Sequence, residues 1–105
     1  MQGPSRGGRA GMKCRHLTFS GHAIRRMFER RISPRELRTV IEDGVVVADY
    51  PHDRPWPSRL LLGDPGGGPL HVVVAFDADA DDCRVVTVYR PDPSLWEADF
   101  KTRRP

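Results

Sequence analysis

The spacing of apolar residues changes at Gly44, and no other feature of the chain constrains its fold as much. Before this point Leu37, Val40 and Ile41 recur at the helical period; beyond it the period becomes two and β-branched residues dominate. Ser33-Pro34-Arg35-Glu36 reads as a capping box with proline in the first helical position. A helix is therefore predicted over about Pro34 to Asp43, closed by Gly44. Ser20 is a plausible N-cap for an earlier helix running to about Arg31. Past Gly44, strands are predicted at about Val45 to Tyr50, Arg59 to Gly63, Leu70 to Phe76 and Arg84 to Tyr89. The breaks are the Pro-rich loop at 51–57, the Gly-rich turn at 64–69 and the acidic turn at 77–82. Such short connections favour an antiparallel meander.

The expected fold is α+β, with two N-terminal helices packed on one face of a four-stranded antiparallel sheet. A short helical turn is expected near Ser94, with Trp96 and Phe100 packing it back onto the domain. Leu70, Val72, Val74 and Phe76 would face the helices, and His71, Val73 and Ala75 would face away. A turn symmetric about Ala80 would place His71 opposite Tyr89 and Val73 opposite Thr87, a register that a one-residue slip would destroy. Lys13 to Phe19 reads as a short strand or an extended lead-in. Residues 1–11 hold four Gly and one Pro and read as a disordered arm, with Met12 an alternative start. Residues 12–100 form the single domain, and 101–105 a loose basic tail.

The 105 residues suffice for one core and one domain. Charge is unevenly placed: residues 1–38 carry ten Lys/Arg against two Glu, or +8, and residues 39–105 carry seven against twelve, or −5. Fifteen of the seventeen cations are Arg, whose planar fork grips phosphate and carboxylate, although a GC-rich genome would favour Arg equally. Cys14 and Cys83 form no CxxC and are expected as two free thiols. No apolar run is long enough for a membrane span and no signal-peptide pattern is present, so a cytoplasmic protein is expected, with no membrane partner.

His22, Arg26 and Arg30 recur at i, i+4 and i+8, so one helix face should carry an imidazole and two guanidiniums. Ala23, Ile24, Met27 and Phe28 are expected on the opposite, core-facing side. The row suits a phosphate-rich partner, and it is equally ordinary solvated helix surface. A metal-independent ribonuclease needs a base, an acid and cations at the phosphorane. His22 is the expected base, because the positive end of the helix dipole and its Arg neighbours favour neutral imidazole. His71 or Tyr89 would be the acid, and Arg26 and Arg30 would hold phosphate. Arg54 and Arg59, beside Tyr50 and Trp56, could bind RNA with stacked bases or form part of a protein interface. His22, His52 and His71 lack compact ligand spacing, so no metal site is expected, and no cofactor. The Gly-rich turn lacks the GKS/T ending of a phosphate loop.

FSGHAIRRMFERRISPREL at 19–37, the strand ending Asp49-Tyr50, PLHVVVAFD, and VVTVYRPDPSLWEADF resemble, in this order, the bacterial domain of unknown function 4258 family. The resemblance implies a small α/β domain similar to RelE and BrnT toxins, encoded with an antitoxin that is sometimes a zinc-finger protein. It also implies a toxin acting as a metal-independent endoribonuclease on mRNA, free or ribosome-bound. The alternative is a non-catalytic protein- or nucleic-acid-binding module whose basic helix docks an acidic antitoxin or DNA.

Overall fold

Ser33 accepts from Glu36 N–H at 3.1 Å while the Glu36 carboxylate accepts from Ser33 N–H at 2.8 Å, so the capping box closes as its sequence requires. It opens α2 (Pro34–Asp43), which follows α1 (Gly21–Arg30), itself capped by Ser20 accepting from Ala23 N–H. The computed structural model describes residues 12–105, so the arm expected over 1–11 lies outside the described residues. Gly44 ends α2 for a steric reason. A Cβ there would lie 2.5 Å from the Val40 carbonyl oxygen and 2.7 Å from that of Leu62, which brings the helix end against the sheet.

The sheet corrects the sequence expectation of four antiparallel strands. It has five strands, β1 (His16–Phe19), β2 (Val45–Tyr50), β3 (Ser58–Gly63), β4 (Leu70–Asp77) and β5 (Asp82–Tyr89), in the order β1-β5-β4-β3-β2. β2 to β5 form the expected antiparallel meander, but β1 adds in parallel to β5, making the sheet mixed. The physical reason is the exposed edge of β5. Its first half would leave a row of unpaired backbone groups beside α1, and His16–Phe19 satisfies them.

His71 pairs with Tyr89 and Val73 with Thr87, as the symmetric turn predicts. The register then shifts between Val73 and Val74. Val86 is the extra residue of that bulge and stands exposed.

Both helices lie on the sheet face that carries Leu70, Val72 and Val74. Ala23 and Met27 from α1 join Leu37, Val40 and Ile41 from α2 in one cluster with Leu61, Val85 and Val88. Cys83 belongs to the same cluster and is bonded to Cys14, their Cα atoms 5.6 Å apart, so the expectation of two free thiols is corrected. The parallel β1–β5 ladder brings them together across a sequence separation of 69.

The C-terminal segment forms the expected short turn, with Leu95 and Trp96 N–H both donating to Asp92 O and Trp96 buried against the domain. The tail expected to be loose folds back. Arg103 bridges to Trp96, and Arg104 donates to Pro93 O at 2.8 Å.

Leu61 is wholly buried at the centre of the cluster. Leu61→Ala should lower unfolding free energy by about 3 kcal/mol, measured by urea denaturation, whereas Leu95→Ala on the exposed turn should leave it within about 0.5 kcal/mol.

Candidate functional site

His71 is enclosed on every side. It projects from the sheet face opposite the helices, with Tyr89 beside it on β5, and the segment after β5 closes over both. The imidazole Nε2 lies 2.7 Å from the Phe100 carbonyl oxygen, and Nδ1 lies 3.2 Å from the Tyr89 hydroxyl. The Trp96 ring stands edge-on to it at 4.6 Å, and the Tyr89 ring at 5.2 Å. One tautomer satisfies both contacts: Nε2–H donates to the carbonyl, and Nδ1 accepts from the Tyr89 O–H. Neither nitrogen is then available to a substrate. His71 is a sealed hydrogen-bonding core residue, not a presented acid.

Burial shifts both groups toward their neutral forms. It lowers the His71 pKa below its ordinary value, with the Phe100 carbonyl opposing in smaller part. It raises that of Tyr89, reinforced by Tyr50 and opposed by Arg103.

The other expected residues sit elsewhere. His22 and Arg30 are exposed on α1, on the helix side of the sheet, and Arg26 between them is half-buried. Arg26 pairs with Glu29 at 3.6 Å, at the solvent boundary. Arg59 pairs across strands with Asp49 at 3.4 Å, and Arg54 is exposed in the loop at 51–57. Trp56, a candidate base-stacking platform, is covered instead by the Arg84 guanidinium at 5.4 Å from its ring centroid. The structure therefore brings His71 to Tyr89, and keeps His22, Arg26 and Arg30 on one helix. It does not bring these two groups together. Among the described residues, no cluster of three His, Cys, Asp or Glu could hold a metal ion.

A feature beyond the sequence expectations lies on α1. Ile24 is 55% exposed and Phe28 87% exposed, although the helical wheel was expected to turn both toward the core. Ala23, Ile24, Met27 and Phe28 spread over about 140° of that wheel, wider than one docking face. The sheet buries Ala23 and Met27 and leaves the other two outside. Together with Phe19, Ile32 and Pro34 they line a shallow groove of about 920 Å³, bordered by Glu29 and Arg31. The wheel angles are the signal that could have shown it.

The His71 environment makes stability pH-dependent. Unfolded, its imidazole titrates near 6.5; folded, it titrates lower, so between those values the unfolded chain binds more protons. The stabilisation is complete above about pH 6.5 and is lost as pH falls toward the folded value. The melting temperature should fall between pH 7 and pH 5, and His71→Gln, which keeps a donor for Phe100 O, should show a smaller fall when both are followed by circular dichroism.

No helix among the described residues is long and apolar enough to cross a membrane. No curated protein and no solved structure matches the chain. One family model does, over residues 19–90, which spans α1 through β5 and stops before the segment that seals His71. With well over half its length matched, the chain belongs to the family described as domain of unknown function (DUF4258).

Proposed function

We propose that this domain is a protein-binding module, and that the outer face of α1 takes an acidic, amphipathic helical segment of its partner. The observation that carries the reading is Phe28, an aromatic side chain left 87% exposed at the edge of an apolar groove. Monomeric proteins keep such patches small unless something covers them. The surroundings favour one kind of cover. Arg25, Arg30, Arg31 and Arg35 are exposed close by in sequence, within the half of the chain that carries +8. A helix with apolar anchors at i, i+3 or i+4 and acidic residues along its flanks would match both the groove and the charge. An antitoxin of that chemistry would fit the toxin–antitoxin resemblance.

The backbone at Arg31 supports the same face. This residue ends α1 in the left-handed region at φ 56°, where glycine is the cheaper residue, and its side chain lines the groove.

The ribonuclease reading has less to stand on. It requires His22 to act on the same phosphate as His71 or Tyr89, and the sheet lies between them. In EDTA, purified protein and its His22→Ala/His71→Ala variant should show equal, background-level cleavage of mRNA. Cleavage by the wild type that the variant lacks would restore catalysis.

Fluorescence anisotropy tests the binding reading directly, with a labelled acidic amphipathic 20-residue helix, the same helix with its charges reversed, and a single-stranded RNA. The acidic helix should bind, with Phe28→Ala weakening it by tenfold or more, as expected of an aromatic anchor worth about 1.4 kcal/mol or more. Preferential RNA binding that survives Phe28→Ala but is lost in Arg26→Ala/Arg30→Ala would instead favour the nucleic-acid module.

A further inference from the structure

We propose that Cys14 and Cys83 are a reversible thiol–disulfide site, whose oxidation clamps residues 12–15 over a cavity lined in part by β2, β3 and β4 and whose reduction releases them. The cavity, of about 380 Å³, lies on the side of the molecule away from His71. Met12, Lys13 and Cys14 form one wall of it, and Arg59, Val74 and Phe76 are among the residues lining the remainder.

The strap is weakly held apart from the disulfide. Residues 12–15 belong to no helix or strand. The β1 ladder begins only at His16, whose N–H donates to Asp81 O at 3.0 Å. Met12 and Cys14 are partly buried against the core, whereas Lys13 and Arg15 are exposed. Cys83 is held quite differently, wholly buried in the middle of a sheet between β1 and β4. A free thiol at that position behaves as a small apolar side chain, so β5 keeps its packing after reduction. The two redox states therefore share one core and differ in the strap.

The difference in exposure also sets the direction of exchange. An incoming thiolate from a dithiol reductant attacks at Cys14, which is only partly buried, rather than at the wholly buried Cys83. A mixed disulfide forms at Cys14 as the Cys14–Cys83 bond breaks, and the electron pair leaves on Cys83 Sγ, which takes a proton. The reductant's second thiolate then attacks its own sulfur in the mixed disulfide and releases Cys14 as a thiolate, which is protonated in turn. Protein disulfide and dithiol become protein dithiol and reductant disulfide, with two electrons and two protons transferred. The reverse reaction, with a disulfide oxidant, closes the strap.

Limited trypsinolysis, read by mass spectrometry at Lys13 and Arg15, tests this on the full chain before and after excess dithiothreitol without denaturant. Amide hydrogen exchange on the same samples follows β4 and β5. Reduction should speed cleavage at these two sites by about tenfold or more, as expected when a held segment becomes locally open. Protection in β4 and β5 should persist. Cys14→Ser should be cleaved at the fast rate under both conditions. A disulfide that survives native dithiothreitol, equal cleavage rates in the two states, or loss of β4 and β5 protection on reduction would each overturn the proposal.

Discussion

His16–Phe19 pair in parallel with Asp82–Val85, and the placement of both α1 and Cys14 depends on that ladder. Ser20 continues it, donating its N–H to Val85 O and its hydroxyl to Val86 O while its side-chain oxygen caps α1. One serine thus joins the sheet edge to the helix start and fixes where α1 crosses the sheet. Ala23 and Met27 are thereby turned into the core, and Ile24 and Phe28 are turned out of it. The same ladder sets Leu17 opposite Cys83, which puts Cys14, three residues upstream, within bonding reach.

This dependence explains which parts of the fold are legible in the sequence. The Ser33–Glu36 capping box and the hairpin register of His71 with Tyr89 are local instructions, each carried by residues close together in the chain. Both can be read. β1 falls within the Lys13 to Phe19 segment that reads as a short strand or extended lead-in, but its parallel pairing cannot be read, because its partner lies more than sixty positions away and no turn announces it. The cysteine pair is hidden for the same reason, since its only sequence signal is a separation that the fold has to close. α1 misleads differently: its apolar residues are plain in the sequence, but how many of them the sheet can cover is a packing question. Of the candidate site, the sequence shows that His71 meets Tyr89. It does not show that a later segment occupies the space in front of them.

The two faces of the sheet consequently have different characters. On the helix side, aliphatic side chains from all but β2's exposed end form a dry interior, and cations and two stray apolar groups decorate the outside. On the opposite side, several polar and aromatic residues find partners within the chain, His71 in Phe100 and Tyr89, Trp56 in the Arg84 guanidinium over its ring, and Ser58 in Asp53, while the buried Arg84 Nε and one carboxylate oxygen of Asp82 have no hydrogen-bond partner among the described residues. The exposed apolar side chains of the helix layer, Ile24 and Phe28, are both on α1.

The family match ends at Arg90, yet the imidazole at 71 is enclosed only by what comes next. Trp96 and the Phe100 carbonyl act as an internal lid for the domain, held down by the Asp92 turn and by Arg103 lying over the indole at 5.4 Å. A gene fragment trimmed to the matched boundary would discard this lid and present a wet histidine and a bare strand surface in its place. For anyone expressing this domain, the useful unit is longer than the stretch that identifies its family.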